Sequence, residues 1–231
     1  MNNRRGAAQR ALALLAFVLG IAALYMMFVY APTERNMGDV QRIMYAHVAS
    51  AWVAYLSFIL VAFSSVLYLW KRKLKWDHLA QASAELGVLF TSLLLITGSL
   101  WGRPVWNTWW VWDPRLTTTL ILWFVYVGYL LFRQVDFVAD IKRTVVSIYG
   151  IMAFINIPLV HYSVKWWRSI HPNTITHEGI QMPDAMIYTL AVTSVFFLIL
   201  YSLLLLYRWT LISQREQVHQ LKQQLSKYII W

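Results

Sequence analysis

Cysteine is absent from this 231-residue chain. That excludes a disulfide framework, a thiolate metal site and covalent attachment of a prosthetic group through C-x-x-C-H. Charge is scarce: 13% of residues are Asp, Glu, Lys or Arg, against about 25% in a soluble domain. Acidic residues are scarcest, 10 against 20 basic, for a net charge of +10. With 9 glycines and 6 prolines no Gly/Ser- or Pro-rich linker divides the chain, and no internal repeat is evident. There is no G-x-x-x-x-G-K-[ST], hence no ATPase site on this chain, and no H-E-x-x-H or G-x-S-x-G. What remains is apolar: 59% hydrophobic residues and a mean hydropathy of +0.51. Disorder and an ordinary soluble domain are both excluded.

The apolar residues fall in runs. A helix needs about 20 of them to cross the hydrocarbon core. Leu12–Tyr30, Ile43–Trp70, Leu79–Trp101, Leu116–Phe132, Thr144–Val164 and Ala185–Tyr207 qualify. The expected fold is all-α, a polytopic integral membrane protein of six transmembrane helices with a Trp-rich outer loop between helices 3 and 4. Helices are required because lipid leaves no partner for open backbone groups. Pro158 is a candidate break in span five, and Glu85, near the inner end of span three, reads as snorkelling.

Lys and Arg set the orientation. Fourteen lie before span one, after spans two and four, and in the tail; six lie on the other side. The positive-inside rule then puts both termini in the cytoplasm. The net charge is a topology signal, so no nucleic-acid partner is expected; membrane lipid is. The first span is too long for a signal-peptide core and reads as an uncleaved helix. Residues 1–207 form the expected membrane domain and 208–231 a cytoplasmic tail. In the tail Val218, Leu221 and Leu225 recur at helical spacing. That suits a helix lying on the membrane or one docking to a partner subunit.

The middle outer loop holds five of the 13 tryptophans within twelve residues: Trp101, Trp106, Trp109, Trp110 and Trp112. An aromatic belt explains scattered interfacial indoles. A cluster in one loop also offers a platform for a large flat ligand. Pro104 suits the first turn of a short helix and Pro114 its end. In that helix Trp106, Trp109 and Trp110 share a face, and Trp112 turns elsewhere.

Four of the six histidines, His47, His161, His171 and His177, fall at the outer face. Two imidazoles from different segments can hold haem iron from opposite faces. His47 and His171 are the candidate ligands. His161 is an alternative ligand or a propionate contact, and His177 reads as a solvated loop residue. Arg103 and Arg115 bracket the Trp segment and Arg168 precedes His171; each suits a propionate or, equally, a helix end or lipid phosphate. Asp113 reads as a helix cap or a partner of Arg115.

The run Trp101-Gly102-Arg103-Pro104-Val105-Trp106, then Thr108-Trp109-Trp110-Val111-Trp112-Asp113 and Arg115-Leu116-Thr117, resembles the WWD signature of haem-handling proteins of cytochrome c maturation. Within that group the similarity is to the haem exporter protein C family, CcmC. Tyr45-Ala46-His47-Val48 and the His161-to-His171 segment resemble its two outer histidine motifs. The resemblance extends to about Tyr207. Asn107 stands where Gly is usual, Pro114 where some members have Ala, and Pro172 follows His171 where many have Gln. The resemblance implies haem of b type, held non-covalently by His47 and His171 (alternatively His161). The residues expected to bind the porphyrin are Trp101, Arg103, Trp106, Trp109, Trp110, Trp112, Asp113 and Arg115, within segment 101–117. It implies the bacterial cytoplasmic membrane as location. The implied partners are the haem chaperone CcmE, the small CcmD and the CcmA/CcmB transporter subunits. It implies a binding and transfer factor rather than an enzyme.

Three other readings compete. An electron-transfer haem b protein would hold its ligands inside spans. A permease with an interfacial Trp loop would bind no cofactor. A later haem–cytochrome lyase of the WWD group would be longer.

Overall fold

The computed structural model describes residues 2–136, 138–171, 175–176, 179–180 and 182–229, with side chains for 6–136, 138–171 and 182–226. The helices are α1 (Asn2–Tyr25), α2 (Ile43–Lys71), α3 (Leu74–Trp106), α4 (Pro114–Phe132), α5 (Ala139–Ala153), α6 (Asn156–Trp166) and α7 (Asp184–Ile229). A π turn at Met26–Tyr30 extends α1, and a 3₁₀ turn at Asp39–Arg42 leads into α2. A small antiparallel ladder pairs β1 (Ile175–Thr176) with β2 (Gly179–Ile180). Among the described residues, six helices are long and apolar enough to cross a membrane. The protein is a multi-pass, all-α membrane protein.

Span five is two helices, α5 and α6. Pro158 has no N–H to give the carbonyl of Phe154, and its ring crowds that carbonyl. The backbone N–H of Ile157 takes the Phe154 oxygen instead, at 3.0 Å, and Ile155 N–H bonds Met152 O at 3.1 Å. The kink therefore lies just before the proline. Helix α7 is continuous for 46 residues, roughly 69 Å at 1.5 Å per residue. It does not break at Tyr207.

α2 is the central helix, packing along α3 and also against α5 and α7. α4 bridges α3 and α6, and α1 sits on α7 at the edge. In the core the Phe58 ring stacks on Tyr126, centroids 3.7 Å apart. Gly87 makes the room: a Cβ there would lie 2.3 Å from the Phe58 ring. Gly87→Ala should therefore cost about 1–3 kcal/mol by overpacking. Thermal unfolding in detergent checks this, and an unchanged midpoint contradicts the packing described.

The end carrying most Lys and Arg is tied by ion pairs. Asp77 is buried, with Arg133 at 2.7 Å and Arg143 at 3.8 Å. Arg143 also reaches Glu216 at 2.8 Å. Glu85 pairs with Arg208, whose Nε and Nη2 donate to its two carboxylate oxygens. His78 meets Ser213 at 3.1 Å. These bonds fix α7 to α3 and α5 well past Tyr207.

Candidate functional site

The opposite end carries the Trp segment, and its backbone differs from the expected one. No helix runs from Pro104 to Pro114. Pro104 lies inside the last turn of α3, which stops at Asn107 in the left-handed conformation (φ 55°). Asn tolerates that conformation better than most residues. Arg103 reinforces the stop by donating to Asn107 Oδ1 at 2.6 Å. Residues 107–113 are non-helical. Asp113 then caps α4, accepting from Arg115 N–H at 2.9 Å, and Pro114 opens the helix it was expected to close. Proline suits that first position, where no N–H is needed.

The indoles accordingly do not form one flat face. Trp101 packs edge-on to Trp106 (5.3 Å) and Trp110 edge-on to Trp112 (5.8 Å). Arg103 lies over Trp109 at 5.9 Å. Trp109 and Trp112 are exposed, while the Nε1 atoms of Trp101 and Trp110 are buried with no acceptor among the described residues.

Asp113 joins this segment to the one bearing His171. Its Oδ2 accepts from Ser169 Oγ at 2.7 Å and from Ile170 N–H at 2.9 Å. Ser169 Oγ in turn accepts from His171 N–H at 3.1 Å. Burial pushes the Asp113 carboxyl up, but the bonds from Ser169, Arg115 and Ile170 outweigh it and hold the pKa below the usual carboxylate value. A depressed acid stabilises the fold at pH above its unfolded value, about 3.9. The contribution fades as pH falls through the lower folded value. Acid titration followed by Trp fluorescence should show a transition below about pH 4 that Asp113→Asn lacks. At neutral pH, Asp113→Ala should cost at least the roughly 0.5–2 kcal/mol of a lost N-cap.

His47 projects from α2 onto α3. Its Nδ1 lies 3.1 Å from Thr97 Oγ1. Gly98 leaves space for the ring, since a Cβ there would come within 3.1 Å of His47 Cε1. His171 Nδ1 lies 3.3 Å from Arg115 Nη1. His47 is within electrostatic reach of both His171 and Arg115. Arg115, the second residue of α4, thus ties His171 to the end of the Trp segment, and His47 lies on α2 within electrostatic reach of both.

The other candidates sit differently. Arg103 serves the loop. Arg168 is exposed, and His161 is exposed on α6, edge-on to Tyr162. His177 lies outside the described residues. A cleft of about 320 Å³ is lined by Asn36, Met37, Val40, Pro104 and Val105, and holds none of the expected histidines or arginines. Sequence reasoning missed Thr97 and Gly98, although a Thr-Gly pair near the end of an apolar span was a visible signal. It also missed Arg42, which ties the connection between α1 and α2 by donating to Met27 O, Ala31 O and Thr33 Oγ1.

The family pattern of heme exporter protein C, CcmC, matches residues 2–224. The chain belongs to the haem exporter protein C family. The match runs past Tyr207, so most of the tail lies inside the family pattern, further than its motifs alone suggested. A putative cytochrome c biosynthesis ccmC-like mitochondrial protein of Marchantia polymorpha is 40% identical over 166 residues, 71% of this chain and 70% of that protein. Its counterpart in Arabidopsis thaliana is 34% identical over 166 residues, covering 71% and 62%. Heme exporter protein C of Escherichia coli K12 is 38% identical over 148 residues, covering 62% and 59%. The chain thus spans under two thirds of two of these three relatives.

The donor set bears on what the site can hold. Among the described residues no three His, Cys, Asp or Glu side chains gather for a bare metal ion. Two imidazoles are too few for a free ion but suffice for an iron whose other four positions a porphyrin fills. Arg115 supplies a cation beside them, and the orphan indole N–H groups supply donors. These residues fit haem.

Proposed function

We propose that this protein holds b-type haem non-covalently at the Trp-segment end of the bundle and presents it for c-type cytochrome biogenesis. The observation that carries the reading is the contact of His171 with Arg115 directly after the Trp segment, with His47 within electrostatic reach of both. Haem handling accords with the family and with the relatives' names. His47 and His171 serve as axial ligands. Arg115 faces a propionate, Trp101, Trp106, Trp109, Trp110 and Trp112 border the porphyrin, and Arg103 with Asp113 shapes the segment that does so.

In this reading the Trp end faces the outer side of the bacterial cytoplasmic membrane, both termini are cytoplasmic, and the recipient is the chaperone CcmE. CcmD and the CcmA/CcmB subunits assemble with it, and any ATP use belongs to them. Held by two imidazoles and stacking, the haem is released by ligand displacement, without a covalent bond to this chain. Exposed Trp109 and Trp112 leave the porphyrin edge open to the recipient.

The test is an absorbance spectrum of the detergent-purified protein, oxidised and reduced, with pyridine extraction. A low-spin bis-histidine spectrum with extractable haem b is expected. Protein made with its partners in haem-replete cells that carries no haem would overturn the reading and favour a permease.

A further inference from the structure

We propose that the two histidines are prepared unequally for iron and that Arg115 controls when the second becomes available. The inference rests on the haem-holding reading above and concerns the order in which the ligands engage.

His47 is held ready. The Thr97 hydroxyl donates its proton to Leu93 O at 2.7 Å, with Leu94 O at 3.2 Å as second acceptor. It is the back-bond usual for helical threonine. Only lone pairs of Oγ1 then face the ring, so His47 Nδ1 carries the hydrogen in the 3.1 Å bond. A neutral imidazole protonated at Nδ1 has its lone pair at Nε2. Thr97 and Gly98 form a socket that fixes both ring orientation and tautomer, which is how outer partners commonly prepare a metal-binding histidine.

His171 is held back. A guanidinium has donors and no acceptor, so Arg115 Nη1 donates and His171 Nδ1 accepts in the 3.3 Å contact. The ring hydrogen then sits on Nε2. In this arrangement Nε2 cannot bind iron, and Nδ1 is covered. The backbone cannot simply swing the ring clear, because Asp113 pins Ser169 and Ile170.

A carboxylate is the better partner for Arg115. Charged, often bidentate Arg–carboxylate bonds are roughly twice as strong as neutral ones. A porphyrin propionate therefore draws Arg115 away from His171. The ring releases its Nε2 proton to water and takes one at Nδ1, with no net proton change. His171 then completes the coordination. The order is His47 first, the propionate–Arg115 exchange second and His171 last. A porphyrin lacking free carboxylates stops at the one-histidine stage.

Two measurements on the full chain in detergent test this. In haem-free protein, ¹⁵N imidazole shifts should report opposite tautomers, Nδ1–H at His47 and Nε2–H at His171; the same tautomer at both sites overturns the proposal without touching the haem reading. The protein is then titrated with ferric protoporphyrin IX and with its dimethyl ester. Haem should give a six-coordinate low-spin spectrum, and the ester a five-coordinate high-spin one. Arg115→Leu should turn the ester complex low-spin. A low-spin ester complex in the unmodified protein overturns the exchange, as does an ester complex of Arg115→Leu that stays high-spin. Failure of the ester alone to bind overturns the order. Failure of both to bind sinks the haem reading and this proposal with it. For the socket, Thr97→Val should weaken haem binding about 10–100-fold, and Thr97→Ser should restore it; equal loss in both variants removes the tautomer role.

Discussion

His47→Ala should emerge from haem-replete cells with no low-spin haem spectrum. The loss should exceed the 10–100-fold that removal of an outer partner costs a metal site, because a direct ligand is gone and its socket on α3 stands empty. His171→Ala should differ in kind. With His47 still anchored to Thr97, some haem should remain, five-coordinate and high-spin. The double variant should carry none. His161→Ala should match the unmodified protein, since that ring is exposed on α6. Absorbance and extractable haem decide all four cases. A low-spin spectrum in both His47→Ala and His171→Ala would reject these ligands. Loss of haem in His161→Ala alone would move the ligand to α6.

The second large effect concerns stability. Arg133→Met leaves the Asp77 carboxylate buried, with Arg143 at 3.8 Å its one remaining ion-pair partner among the described residues. Breaking one side of a buried pair costs about 3–5 kcal/mol, mostly for the stranded charge. Arg133 also donates to Tyr129 Oη at 2.9 Å and lies over that ring. Its loss thus loosens α4 as well as α3. The double change Asp77→Asn with Arg133→Met should recover much of the loss, because no stranded charge remains. Thermal unfolding in detergent measures both. A single variant as stable as the parent would mean the pair adds nothing to the packing of this end.

The six spans were legible because lipid demands long apolar runs, and such runs are hard to mistake. The kink at Pro158 was legible in kind; its position follows from where the freed carbonyl of Phe154 finds Ile157. The Trp segment was legible in composition and wrong in shape. Two prolines suggested a helix between them, but capping chemistry decides: Asn107 ends one helix and Asp113 begins the next. The continuity of α7 was hidden because polarity rises after Tyr207, yet Arg208, Ser213 and Glu216 all bond to other helices. The histidines were legible as types. Their pairing came from the resemblance; the contact of His171 with Arg115 was not legible, since α4 and the segment after α6 meet only through the tertiary fold. Thr97 escaped because a lone threonine in a span normally bonds only its own backbone.

The seat of α1 bears on how the protein is made. Its inward face is a seam of small residues, Ala16 and Ala23 buried and Gly20 against Phe196 of α7. Small residues allow the close approach that holds helices together in lipid. The helix that covers this seam is therefore α7, more than 150 residues further along the chain. Until α7 is made, α1 is held only through its outer end, where Arg42 bonds Met27 O and Ala31 O, and its seam faces lipid, which its run from Ala11 to Tyr30, free of charged residues, permits.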